Sequence, residues 1–281
     1  MASRIRFVQK AIVFLSLGLF LSGFTLTAFA QEEAAAAEPT KWRKKPNFAF
    51  KLGAFFPSVS AKLAVDGSEE VSAEDDLALD KNATTLRLDG DIRIAGWFGL
   101  GLGYYGVSRS QETVIDKDIQ IGDTVFPVNQ TLKTKLTNNF FNVDLKFYLI
   151  NKPRLDFGVY AGAYWSKLKL DVRAQELDTD LIELRATSTI IPSVGLHFSY
   201  TLLPNLYLYA KAGYFYLEPT KRTKFESATI NINLDYYFWK FLGIGAKYEY
   251  SAFDLTLDVA DYHGDLKYNI GGFQAYATIG F

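Results

Sequence analysis

Three groups of residues carry types and spacings that could do chemistry. The first is His197-Phe198-Ser199. A histidine close to a serine can take the hydroxyl proton and make the oxygen a nucleophile for ester attack. The second combines Asp89-Gly90-Asp91 with Asp261-Tyr262-His263. Carboxylates facing an Asp-His pair can hold a water and draw a proton from it, if all lie within hydrogen-bond reach. The third is acid density in two stretches. One holds Glu69, Glu70, Glu74, Asp75, Asp76 and Asp80, the other Asp171, Glu176, Asp178, Asp180 and Glu183. Carboxylate oxygens suit hard divalent cations, but a solvated, self-repelling loop is the reading we favour. The basic run Lys41, Arg43, Lys44 and Lys45 likewise reads as solvated.

The elements that must position these groups are strands. In Thr84–Ala95 the even positions Leu86, Leu88, Gly90, Ile92 and Ile94 are apolar, while Arg87, Asp89, Asp91 and Arg93 are charged. A strand has a side-chain period of two, so one face is apolar and the other polar. Phe141, Val143, Leu145, Phe147 and Leu149 repeat the pattern against Asn142, Asp144, Lys146 and Tyr148. So do Ile230, Ile232, Leu234, Tyr236 and Phe238 against Asn231, Asn233, Asp235 and Tyr237. Such segments fill most of the chain, and no amphipathic helix is present to cover them. Aromatics flank their apolar faces, as in Trp97-Phe98 and Tyr236-Tyr237-Phe238-Trp239, which is the girdle of a barrel facing lipid.

Composition excludes other classes. Net charge is −1, so no global field attracts nucleic acid. With no cysteine, two histidines and one methionine, we expect no disulfide, no metal site and no cofactor. Residues 1–30 read as a cleaved signal peptide. Arg4, Arg6 and Lys10 precede an uncharged apolar run, and Ala28-Phe29-Ala30 offers small residues at the cleavage positions. Residues 31–47 read as a periplasmic linker and 48–281 as the barrel.

Turn signals at Gly96-Trp97, Asn151-Lys152-Pro153, Pro204-Asn205 and Lys240-Phe241 alternate with five longer polar stretches. They divide the barrel into ten strands, with eight as the alternative. The cores are 48–57, 84–95, 98–110, 137–150, 154–170, 186–202, 206–217, 225–239, 242–257 and 266–281. Pro57 should interrupt the first strand. In the fifth, the apolar face switches phase between Trp165 and Leu168, where a bulge or emergence from the membrane is expected.

The final segment, with Phe273, Ala275, Ala277, Ile279 and Phe281 at alternate positions, resembles the last strand of bacterial outer-membrane β-barrel proteins of the small porin-like or OmpA-like kind. The resemblance implies a closed antiparallel up-and-down transmembrane β-barrel in a Gram-negative outer membrane. It also implies that these five residues are the signal read by the barrel-assembly machinery. Two narrower resemblances are set aside. His197-Phe198-Ser199 is similar to the His-x-Ser pair of outer-membrane lipid A deacylases, but Tyr200 and Thr201 do not continue that family's pattern. The pair also lies near the periplasmic turn at Pro204, away from the outer leaflet. The Asp89-Asp91 and Asp261-His263 pairs resemble those of the omptin proteases, which are ten-stranded barrels. A barrel length should separate the two pairs here.

The inward positions supply Lys51, Arg87, Arg93, Lys146, Lys211 and Lys247, and Asp89, Asp91, Asp144, Asp156, Asp235 and Glu249. We expect these cations and anions to pair in one layer that blocks a narrow lumen. The expected role is non-enzymatic, structural or surface-interacting. The alternative is a narrow porin-like channel for small or hydrophobic solutes, with a lipid A hydrolase or protease as a distant third. Expected partners are outer-membrane lipid and lipopolysaccharide, with no nucleic acid, and the protein is expected to be a monomer.

Overall fold

A computed structural model describes residues 45–65, 70–121, 124–174, 181–220, 223–259 and 262–281. Residues 1–44, which hold the expected signal peptide and all but the last three residues of the expected linker, lie outside the described residues. Ten long strands run through the described part. They are β1 (Phe48–Val65), β2 (Thr85–Ala95), β3 (Phe98–Val114), β4 (Thr131–Asn151), β5 (Leu155–Ala174), β6 (Leu181–Leu203), β7 (Leu206–Thr220), β8 (Thr223–Tyr237), β9 (Leu242–Val259) and β10 (Tyr262–Gly280). Each pairs antiparallel with its neighbours in sequence, and β1 also pairs with β10 from Ala49–Gly280 to Val65–Gly264. The sheet therefore closes on itself and leaves no free edge in the ring.

The side-chain period of two sorts the strands by face. On β5 the outward residues Leu155, Phe157, Val159, Ala161, Ala163 and Trp165 are apolar. Ten residues of strand span about 33 Å. A tilt near 40° reduces that to about 25 Å, the height of a lipid-facing band. β7 repeats the band from Leu206 to Tyr216, and β9 from Leu242 to Tyr250. Four short turns lie at one end of the ring.

Several strands continue past the band at the other end. β1 does not stop at Pro57 but runs on to Val65. Proline is accommodated because the β1–β2 ladder already ends at the Phe55–Thr85 pair. The side of Pro57 that lacks an N–H faces the incoming loop, which needs only its carbonyl: Ala83 N–H donates to Pro57 O at 3.0 Å.

Above the band the inside of the barrel is apolar. Phe55 and Val59 on β1, Tyr105 and Val107 on β3, and Leu132, Leu136 and Phe140 on β4 are buried together with Leu170, Val172, Phe253, Leu255, Tyr268 and Ile270. Side-chain direction on β5 does not change across Trp165 and Leu168. Outward Trp165 is 53% exposed, while Leu170 and Val172 point inward and are buried. The phase switch in the sequence is thus a change in which face is apolar. A register shift between Leu168 and Leu170 against β6 accompanies it.

Two loops cap this apolar storey. The β1–β2 loop folds back over the mouth and buries Ala73, Leu77 and Leu79. Ala78 between the leucines takes the left-handed conformation, φ 53°, which turns both of them inward. The β3–β4 loop adds Ile115, together with Ile119 and Phe126 from its short strand pair Ile119–Ile121 and Thr124–Phe126.

Candidate functional site

The inward faces of β1, β2, β4, β5, β7, β8 and β9 bring the twelve charged residues into one connected interior region. Arg87 is its hub. Its terminal nitrogens donate to the two Glu249 oxygens at 2.9 and 2.8 Å, and its Nε donates to Asp89 at 3.1 Å. Lys247 donates to Asp89 at 3.0 Å and lies 3.3 Å from Glu249. Lys51 meets Asp235 at 2.8 Å, with its ammonium over the rings of Tyr209 and Tyr276. Lys211 donates to Asp144 at 2.6 Å, and Lys146 pairs with Asp91. Arg93 donates to Asp156 at 2.6 Å. Every one of the twelve has an opposite-charge partner. Neutral residues fill in: Tyr276 donates to Asp235, Asn231 to Glu249, and Ser199 to Asp156.

The arrangement differs from strict one-to-one pairing. Asp89, Glu249 and Asp156 each lie within ion-pair distance of two cations. The second cation on Asp156 is Lys45, at 3.0 Å, so this linker residue is not solvated as its basic run suggested. Lys41, Arg43 and Lys44 lie outside the described residues. Arg93 reaches Asp156 across the barrel rather than its strand neighbour Asp91.

Glycines let these long side chains lie flat. A methyl at Gly213 would overlap the Tyr160 hydroxyl, which hydrogen-bonds Ser193 at 3.0 Å and Thr229 at 3.2 Å. Arg87 also marks the junction with the apolar storey, its guanidinium stacking on Phe55 and Tyr105. A cavity of about 110 Å³ lies among the charges, toward the short-turn end of the barrel. Its lining runs from Lys45 through Lys146, Ser199 and Asn233, and from the apolar cluster includes only Tyr164.

The catalytic candidates separate. The Ser199 hydroxyl donates its hydrogen bond to Asp156 at 2.9 Å, and His197 Nε2 lies 3.3 Å from the Phe147 carbonyl, so the serine's hydrogen bond does not go to the histidine. Asp89 and Asp91 are held by cations. On β1 the level of Asp89 is that of Lys51, and the level of Gly264, next to His263, is that of Val65. Roughly 45 Å of strand lies between those levels. Asp261 is outside the described residues.

The acids of the β1–β2 loop are not a self-repelling solvated group. Glu74 is buried, accepts from Arg109 at 2.6 Å and caps the Ala61 N–H. Asp76 meets Lys117 at 2.6 Å, and Glu70 is shared by Lys62, at 2.9 Å, and Lys267. Those two lysines hold the Glu70 carboxyl below its ordinary range by hydrogen bonding. Glu69, Glu176, Asp178 and Asp180 lie outside the described residues, and Asp171 pairs with Lys169 at 3.2 Å. Among the described residues no group of three or more His, Cys, Asp or Glu could hold a metal ion.

The sequence reasoning missed the Arg109–Glu74 anchor and Lys45. Arg109 had a signal: it sits at an inward position of β3, in phase with Tyr105 and Val107. Phe273, Ala275, Ala277, Ile279 and Phe281 all face outward and are exposed. The Phe281 carbonyl accepts from the N–H groups of Asn47 and Phe48, and its ring packs on Phe48 and Phe241.

No protein-family model matches the sequence, and no curated protein matches it. Solved structures of outer-membrane barrels do match its fold. The outer membrane protease OmpT from Escherichia coli aligns with a TM-score of 0.54 at 14% identity, covering 87% of this chain and 99% of that one. The translocator domain of the autotransporter NalP from Neisseria meningitidis aligns at 0.43 and 11% identity, over 95% and 97%. The attachment invasion locus protein Ail of Yersinia pestis aligns at 0.32 and 10%, over 84% and 99%.

Proposed function

We propose that this chain, an integral outer-membrane β-barrel by fold, is a non-enzymatic structural or surface-interaction protein whose lumen is closed to solutes. The observation that carries this reading is closure in two storeys. Ion pairs cross the membrane-embedded lumen, and an apolar core seals it above. The only member of that core lining the 110 Å³ cavity is Tyr164, and the loop-borne Leu77, Leu79, Ile115 and Phe126 are buried in the mouth beyond it. A conducting path would have to open both storeys. A ten-stranded barrel is only slightly wider than the eight-stranded kind, whose interior side chains just fill.

The absence of a His197–Ser199 hydrogen bond and the engagement of Asp89 and Asp91 by cations support the non-enzymatic part. The protein acts as a monomer in this reading, with its outward band in lipid and the outward stripe of β10 as the feature the assembly machinery reads.

Single-channel recording on the refolded full chain in a planar bilayer tests closure. The expected trace has no steady openings at moderate voltage. Steady, porin-sized openings overturn the closed-lumen reading and make the narrow channel the function. The cavity toward the short-turn end would then be its vestibule.

A further inference from the structure

Beyond the lipid-facing band, the outer wall of the barrel is charged, and the charge is uneven. Near β1 and β10, Lys62 and Lys267 share Glu70. On β8 and β9, Lys224 bridges Glu226 at 2.8 Å and Asp254 at 3.1 Å. The β4–β5 wall is different. Its outward cross-strand rows are Phe141–Trp165, Asn139–Lys167, Thr137–Lys169, Lys135–Asp171 and Lys133–Arg173. Lys133, Lys135, Lys167 and Arg173 are exposed. Against five cations, these rows and their neighbours on β3 hold two acids, Asp171 and Glu112. Asp171 is engaged by Lys169.

Position gives the patch its meaning. Phe141 and Trp165 close the apolar band, with Tyr104 beside Phe141 on β3. The next outward row, with Lys167, begins about 7 Å further along the strand, and the Lys133–Arg173 row about 27 Å along. The cations therefore start at the top of the lipid band and climb through the layer where headgroups lie. Lys133 and Arg173 are directly opposite each other, a like-charge pairing that costs stability, with Glu112 opposite Lys133 on its β3 side. Long lysine and arginine stems reach from an apolar surface into that layer.

We propose that the outer β4–β5 wall binds the phosphate groups of the outer leaflet's phosphorylated glycolipid, lipopolysaccharide, with Lys133, Lys135, Lys167, Lys169 and Arg173 as its cationic ladder. The aromatic row Tyr104, Phe141 and Trp165 seats the acyl chains below, and the ladder holds the phosphates above. Charge-assisted contacts to phosphate oxygens supply the affinity. The proposal is independent of whether the lumen conducts.

The test uses the refolded full chain in detergent micelles and measures binding of rough-type lipopolysaccharide by native gel shift. Wild type should bind, and raising salt should weaken binding. Phosphatase-treated lipopolysaccharide should bind at least tenfold more weakly. The K133Q/K135Q/K167Q/K169Q variant should lose at least tenfold in affinity while keeping heat-modifiable migration, whereas K62Q/K267Q should bind as wild type. Equal binding of treated and untreated lipid by wild type overturns the proposal, and that arm needs no variant to fold. Wild-type affinity in the folded quadruple variant also overturns it. So does a preference for a soluble sulfated polysaccharide over the lipid.

Discussion

Replacing Glu249 by glutamine tests whether the lumen charges are a coupled structural unit. The change keeps volume and removes one charge. Arg87 is 2% exposed and now directs both terminal nitrogens at carboxylate oxygens, 2.9 and 2.8 Å away. After the change one of those nitrogens faces an amide donor. Asn231, which donates to the same oxygen at 2.8 Å, also loses a charged acceptor. Hydrogen bonds to charged groups contribute about 1.5–3 kcal/mol each, and the glutamine oxygen recovers one neutral bond of about 1 kcal/mol. Glu249→Gln should therefore cost about 3–5 kcal/mol, the range for removing one partner of a buried pair. Replacing both partners, as Arg87→Met with Glu249→Leu, leaves Asp89 with Lys247 and creates no orphaned charge. The double variant should be more stable than Glu249→Gln alone. Urea titration of the barrel in lipid vesicles, read by heat-modifiable mobility and tryptophan fluorescence, gives both numbers. A single variant within about 1 kcal/mol of wild type would mean that water screens the pair. A double variant less stable than the single would refute the coupling.

Other outcomes follow from the same structure. Leu145 lies outward near the middle of the β4 band and is exposed, so Leu145→Arg should destabilise by about 2–4 kcal/mol in the same titration. Leu132 is fully buried above the band, and Leu132→Ala should cost about 2–5 kcal/mol if that storey is a packed core rather than a hydrated mouth. Glu70 has a lowered folded-state pKa from its hydrogen bonds with Lys267 and Lys62. Its contribution is present above the ordinary glutamate range, near pH 4.3, and is lost as pH falls through the lower folded value. Limited acid-protease digestion should show the β1–β2 loop opening in that acidic window. Glu70→Gln should remove most of the pH dependence, and an unchanged profile in the variant would exclude Glu70 as the strap.

Within the membrane band the fold was legible because two solvents act on one strand. Lipid outside and a polar lumen inside force strict alternation, so Leu86 to Ile94 and Phe141 to Leu149 announce both strand and face. The charged lumen residues were legible for the same reason: a charge on an alternating strand has nowhere to go but inward. Their partners were not legible. Arg93 meets Asp156, and Arg87 meets Glu249, across strands far apart in sequence. Which cation meets which anion depends on stagger and tilt around the ring, and these are set by all ten strands together.

The strand extensions were missed for a different reason, and it fixes the position of the outer membrane surface. Above the band the outer solvent becomes water, so the polar face moves outward while the side-chain period stays at two. On β4, Lys133 and Lys135 face out, and Leu132, Leu136 and Phe140 face in. On β1 the outward series passes from Phe56 to Ser58, Ser60 and Lys62, while Val59 and Ala61 turn in. On β10 it passes from Phe273 through Gly271 to Asn269 and Lys267, while Ile270 and Tyr268 turn in. A search for lipid-facing apolar residues at fixed parity reads the β1 and β4 stretches as polar loop, and only the β10 stretch falls inside its expected strand. Yet each is a strand with its apolar face inverted, and a one-residue change of apolar parity moves the whole hydrophobic set to the other side of the sheet. The inversion falls just past Phe56 on β1, Phe141 on β4, Trp165 on β5, Tyr250 on β9 and Phe273 on β10. Five strands that place their last outward aromatic at the same transition define a plane. Below that plane the barrel uses ion pairs to fill its interior, and above it the barrel is built like a water-soluble one around an apolar core.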